Sequence, residues 1–154
     1  MQLNIDGFNL NYNDVGEGTP VLMLHGWGSS CDAYNFMTKT FSDRFRMVSL
    51  DFPGFGKSDM INEPWDVERY CQITLKFIEK LGITDYIIVG HSFGGRVIIK
   101  LAGTDRINPK KSFLLTARVF YQNARLNQRL DWRRLRRLRL FFSYRLFAII
   151  PKTL

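Results

Sequence analysis

A serine between glycines, Gly90-His91-Ser92-Phe93-Gly94, stands directly after a short apolar run and directly before a helical pattern. That junction constrains the chain more than any other segment. Residues 86–89 are apolar and closed by Gly90, as expected of a strand buried on both faces. Residues 93–102 repeat with a helical period and stop at Gly103. A strand that turns at once into a helix forces the central residue, Ser92, into strained backbone. Only small neighbours, Gly90 and Gly94, then avoid a clash. The serine hydroxyl would project above the sheet at a helix N-terminus, where the dipole favours a developing oxyanion. Gly95 is expected to let that helix pack close to its strand.

The same alternation extends over the first 115 residues. Residues 21–24 and 47–50 are short apolar runs ending at His25-Gly26 and Asp51, and 111–115 begins another. Between them, residues 65–81 carry apolar positions near a 3.6 period, with Gly82 placed as a C-cap. Leu3 and Ile5, a turn at Asp6-Gly7, then Phe8, Leu10 and Tyr12 predict an N-terminal hairpin. Strand, helix, strand, helix predicts an α/β fold with a mostly parallel sheet covered on both faces.

Two further glycine-rich turns come after strand ends. Gly56-Lys57-Ser58 invites a phosphate-loop reading, but Asp51 occupies the position where that loop needs its first glycine. The dinucleotide fingerprint fails as well, because Gly54-Phe55-Gly56 leads to Asp59. No cofactor motif and no metal-ligand pattern is present, so no cofactor or metal is expected. Asp51, at the end of its strand, is expected to tie down the loop through Ser58 rather than to react. His25-Gly26-Trp27-Gly28 comes directly after the 21–24 run, and the His25 imidazole is expected to brace this loop.

The H-G-x-G loop at residues 25–28, the D-x-P-G-x-G-x-S-D segment at 51–59 and the G-H-S-x-G-G elbow at 90–95 together resemble the α/β-hydrolase fold superfamily over residues 1 to about 115. The resemblance implies six strands of a partial α/β-hydrolase sheet. It implies Ser92 as nucleophile of an acyl-enzyme, with the backbone N–H groups of Trp27 and Phe93 as oxyanion donors. His25, Gly26, Gly28, Asp51, Gly90, His91, Gly94 and Gly95 then support the loop and the elbow. The substrate class implied is a small ester, amide or similar acyl compound. Haloalkane dehalogenases share the superfamily but carry aspartate where this chain has Ser92.

A serine hydroxyl needs a general base, which in this superfamily is a histidine placed after the nucleophile and an acid. The two histidines here, His25 and His91, both precede Ser92, and only Asp105 and Asp131 supply acids after it. No triad acid or base is therefore assigned, and the chain is expected to be a truncated, inactive form.

Composition changes near the same point. Residues 1–110 hold 11 Lys and Arg against 13 Asp and Glu, whereas 111–154 hold 11 against the single Asp131. All 12 glycines lie at or before Gly103. Back-translation of residues 116–123 after a preceding G, read one nucleotide earlier, permits Asp-Ser-Ala-Gly-Val-Leu-Pro-Lys. That string resembles the segment after the sixth strand in one branch of these hydrolases. Two segments are expected: 1–115 as the N-terminal half of a hydrolase domain, and 116–154 as an Arg-rich, out-of-frame tail.

The alternative takes the tail as functional. Trp132, Leu135 and Leu138 share a helical face among arginines, a pattern suited to anionic membrane or nucleic acid. With the tail read as out of frame, no nucleic-acid partner is expected. No run approaches the length of a membrane span, and the N-terminus lacks a secretion-signal pattern. Cys31 and Cys71 suit reduced thiols and a cytoplasmic address.

Overall fold

The computed structural model describes residues 1–115. The 116–154 segment, with its out-of-frame reading and its cationic amphipathic pattern, lies outside the described residues. The elements run β1 (Gln2–Ile5), β2 (Phe8–Val15), β3 (Pro20–Leu24), a 3-10 turn at Cys31–Tyr34, α1 (Asn35–Phe41), β4 (Arg46–Leu50), α2 (Val67–Lys80), β5 (Ile87–His91), α3 (Phe93–Gly103) and β6 (Lys111–Leu115).

The six strands form one sheet in the order β1-β2-β4-β3-β5-β6. The β1–β2 hairpin is antiparallel, and β2 adds antiparallel to β4. From β4 to β6 every pairing is parallel. Asp6 and Gly7 turn the hairpin with positive φ, the conformation that an Asp-Gly pair adopts readily. The partial α/β-hydrolase sheet expected from sequence is what forms.

Alternate residues of each central strand feed different cores, because successive side chains point to opposite faces. Leu22, Leu24, Val48, Leu50 and Ile88 pack beneath Tyr70, Ile73, Phe77, Val97, Ile98 and Leu101 of α2 and α3. Val21, Met23, Met47 and Val89 face the other way, towards Tyr34 and the α1 residues Met37 and Phe41. Phe77 and Ile98 are completely buried, each contributing roughly 1.5–3 kcal/mol by leaving water.

Most boundaries fall within one residue of the sequence expectation, and the two larger differences have a local cause. α2 begins at Val67 instead of residue 65, because the Asp66 carboxylate accepts from the Arg69 N–H and fixes the N-cap there. β5 begins at Ile87 and continues through Gly90 to His91, since both of those residues still pair with β6. The turn is therefore confined to Ser92.

Glu68 in the first turn of α2 receives Arg106 in a bidentate pair and Lys100 from α3, joining the two helices of the major core. The Arg106 and Lys100 donors hold the Glu68 carboxyl down at about 2. A carboxyl lowered from 4.5 contributes stability that is present above pH 4.5 and is lost as pH falls towards 2. Glu68→Gln should cost about 0.5–1 kcal/mol at pH 7, the range for a solvent-screened pair. Urea denaturation should show that the cost shrinks steadily below pH 4.5.

Candidate functional site

The parallel strands end in register, with Leu24 of β3 opposite both Leu50 of β4 and Gly90 of β5. His25-Gly26, Asp51 and, one residue beyond His91, Ser92 therefore leave the sheet at its carboxyl end. The carboxyl edge of a parallel sheet is where loops converge on a ligand.

Ser92 occupies φ 47°, ψ −103° as the residue that turns β5 into α3. A non-glycine residue there stores roughly 1–3 kcal/mol, which the surroundings must offset. Its N–H donates to the Leu115 carbonyl at 2.9 Å, and its carbonyl accepts from Arg96 at 3.2 Å. The Ser92 side chain makes no capping bond to α3, so the hydroxyl is not engaged by the helix.

Close packing on both sides explains the glycines. A Cβ on Gly90 would lie 2.7 Å from the backbone of Gly94 and Gly95, so strand and helix touch main chain to main chain. A Cβ on Gly94 would overlap the carbonyl of Leu24. The Gly94 N–H instead donates to the His25 carbonyl at 3.1 Å, fastening α3 to the 25–28 loop. Gly26 is bounded similarly: its Cβ would lie 2.7 Å from the Nδ1 of His91 and 3.4 Å from the Cβ of Ser92. Gly28 turns the loop at φ +69°.

The loop and the elbow thus sit against each other. Trp27 comes next after Gly26, and Phe93 next after Ser92. Among the described residues, no turn, loop or cap bond engages the N–H of Trp27 or of Phe93. Phe93 opens its helix, where an N–H has no intrahelical acceptor.

His25 is fully buried. Its Nε2 accepts the Phe52 N–H at 2.9 Å, which places the ring proton on Nδ1, and Nδ1 donates to the Gly26 carbonyl at 2.7 Å. Both nitrogens are occupied by backbone. Burial outweighs the Gly26 carbonyl and Asp51 and pulls the imidazole below its usual 6.5. His91, by contrast, is exposed.

Asp51 is buried, and burial alone would raise its carboxyl. The Lys57 and Cys31 N–H groups and the Asn11 amide donate to it at 2.8, 2.6 and 2.8 Å and win, holding it below the usual carboxylate range. A Cβ on Gly56 would overlap this carboxylate. The Ser58 hydroxyl donates to the Asp51 carbonyl at 2.7 Å and accepts from the Asn11 N–H at 2.9 Å. Asp51 and Ser58 therefore tie the 51–59 loop to β2 and to the 3-10 turn.

Sequence patterning does not reveal Asn11, the Cys31 backbone or Tyr34, whose hydroxyl donates to the Leu24 carbonyl at 2.7 Å. The alternating Asn9, Asn11 and Asn13 on one strand are the visible signal. Among the described residues no group of three or more His, Cys, Asp or Glu side chains could hold a metal, and no helix is long and apolar enough to cross a membrane.

This geometry sets two stability effects. Ser92→Gly should stabilise the fold by about 1 kcal/mol by removing the strain, whereas Ser92→Ala, which keeps a Cβ, should change it far less; urea denaturation of the two variants checks this. For His25, the unfolded chain takes up a proton below pH 6.5 while the folded chain resists it. Stability should therefore fall with pH from about 6.5 downward, at most about 1.4 kcal/mol per unit. Denaturation series between pH 7.5 and about 5 should show a flatter profile for His25→Asn.

Comparison with known proteins agrees with this architecture. The family model for the alpha/beta hydrolase fold matches residues 19–144. A non-heme haloperoxidase from Rhodococcus erythropolis is 32% identical over 91 residues, covering 58% of this chain and 33% of its own. A soluble epoxide hydrolase from Corynebacterium sp. strain C12 is 25% identical over 114 residues, covering 74% and 40%. Among solved structures, an esterase from Exiguobacterium antarcticum superposes with TM-score 0.69 at 29% identity, over 73% of this chain and 43% of that one. The chain spans about a third of the length of the curated relatives it matches. The match over residues 19–144, on a sheet of this order with Ser92 at its strand-to-helix turn, shows that the chain belongs to the α/β-hydrolase fold family.

Proposed function

We propose that this chain carries the nucleophile and oxyanion-binding part of a serine hydrolase for small esters, amides or similar acyl compounds. The observation that carries the reading is the conformation of Ser92, φ 47° and ψ −103°, between β5 and α3. Strain of this kind persists where it positions a reacting group. The Ser92 Oγ would attack the acyl carbon, and the carbonyl oxygen would become an oxyanion facing the N–H groups of Trp27 and Phe93. The acyl group would stay on Ser92 as the alkoxide or amine leaves, and water would release it as the acid. A hydroxyl at Ser92, in place of the carboxylate of the haloalkane dehalogenases, favours acyl transfer over displacement at carbon.

The proton of Ser92 needs an acceptor. His25 is committed on both nitrogens to backbone and is held neutral by burial. No histidine comes after Ser92 in these 154 residues. By itself this chain therefore lacks an activated nucleophile and keeps at most oxyanion and binding effects. The buried thiols of Cys31 and Cys71, both free, fit a reducing, cytoplasmic setting.

The 154-residue chain should hydrolyse p-nitrophenyl acetate near background, unchanged by Ser92→Ala. Robust Ser92-dependent turnover would show that a base is present. The nucleophile is tested separately by fusing residues 1–115 to the part of the Rhodococcus haloperoxidase that lies beyond its matching strand. The folded fusion should turn over the ester and lose at least about 10³-fold on Ser92→Ala. A folded fusion whose activity ignores Ser92 would sink the reading.

A further inference from the structure

We propose that Tyr34 is a positioning residue for the two oxyanion-binding N–H groups, its hydroxyl pinning the end of β3 so that the 25–28 loop and the elbow keep their spacing. This rests on the serine-hydrolase reading and extends it to a residue that touches no reacting atom.

Tyr34 closes the 3-10 turn and is 3% exposed, its ring packed with Val21, Met23, Met47 and Val89. A phenyl ring would fill that core without a hydroxyl. The hydroxyl has a definite target, because it donates to the Leu24 carbonyl at 2.7 Å. Burial pushes the phenol above its usual range, so it stays protonated and remains a donor at neutral pH. The group that works against that rise is the main chain of His91, the last residue of β5. The Tyr34 hydroxyl therefore lies where β3 and β5, paired up to Leu24 and Gly90, lead into the loop and the elbow.

The Leu24 carbonyl is the surface on which α3 rests. A Cβ on Gly94 would overlap it, and the Gly94 N–H bonds the next carbonyl, that of His25, at 3.1 Å. Trp27 comes two residues after His25, and Phe93 comes one residue before Gly94. A tilt of the Leu24–His25 peptide would therefore shift the two N–H groups relative to each other. The turn that carries Tyr34 is itself anchored, since the Cys31 N–H donates to the Asp51 carboxylate at 2.6 Å. Small displacements of such donors are costly, because an oxyanion is stabilised only by donors already in place.

Acetate is the probe, since its carboxylate can occupy an oxyanion site without a general base. Amide NMR of the full 154-residue chain at neutral pH follows the Trp27 and Phe93 N–H groups. In the wild type both should shift along one saturation curve. Tyr34→Phe should weaken that binding about fivefold, the effect of one hydrogen bond. Val21→Ala loosens the same core but keeps the hydroxyl, so it should lower the urea midpoint and leave acetate affinity unchanged. Wild-type affinity in folded Tyr34→Phe would overturn the proposal. Equal losses in Tyr34→Phe and Val21→Ala would do the same, reducing the hydroxyl to a stability contact. Should Tyr34→Phe not fold, the carbonyl carbon resonance of Leu24 in the wild type decides. It should move with acetate on the same curve, and a Leu24 carbonyl that ignores acetate overturns the positioning role. The two readings fail distinguishably. Amides that ignore acetate in the folded wild type remove the oxyanion site and the positioning role together, whereas amides that respond regardless of Tyr34 remove only the latter.

Discussion

The contact between the end of β3 and the start of α3 governs this end of the molecule. Gly94 lies against the Leu24 carbonyl with no room for a side chain, and its N–H is bonded to the His25 carbonyl. That approach fixes where α3 starts relative to the sheet. Once it is fixed, the chain leaving β5 has one residue in which to reverse into the helix, and Ser92 takes the strain. The bond from Ser92 to Leu115 and the packing of Gly26 on Ser92 hold it there. A strained residue costs roughly 1–3 kcal/mol, comparable to the gain from one fully buried aliphatic side chain. The core beneath α3 contains several, and their burial offsets the strain.

Asp51 plays the corresponding part for the neighbouring loop. A buried carboxylate without donors would be severely destabilising, whereas three donors from three separate segments make it a knot. The bonds also hold it below the usual carboxylate range, so it remains an acceptor-only charge at neutral pH. With its oxygens engaged by Asn11, Cys31 and Lys57, it serves as a structural anchor beside the edge where Ser92 emerges. His25 is organised on the same logic, with one ring nitrogen bonded to each of two main-chain groups.

Much of the fold was legible because each element carries its own local signal. The Asp6-Gly7 turn, the apolar runs bounded by glycine, and the 3.6 period ending at Gly82 correspond to β1–β2, the central strands and α2. The segment from Cys31 to Phe41 was not legible. It combines a single 3-10 turn with a seven-residue helix that includes Thr38 and Thr40, too short for periodicity to stand out. Strand order was equally hidden, since nothing local states that β2 adds to β4 while β3 lies between β4 and β5. In the site, the glycine positions could be read because a missing side chain marks close approach. The Asn11, Tyr34 and Cys31 contacts could not, because they join residues 10 to 40 apart in sequence.

Positioning a serine and accepting its proton are physically separable tasks. The conformation of Ser92 depends on β3, β5, β6, α3 and the 25–28 loop, all within the first 115 residues. The Trp27 and Phe93 N–H groups also lie within those residues. A general base needs only one imidazole brought within hydrogen-bond reach of Oγ, and it could come from any segment packed on the same edge. The two imidazoles here are disposed otherwise. His25 is fully buried, with each nitrogen bonded to main chain, and His91 is an exposed side chain on the final residue of β5. The elbow is therefore held by main-chain contacts, with Ser92 bonded to Leu115 and Gly94 to the His25 carbonyl.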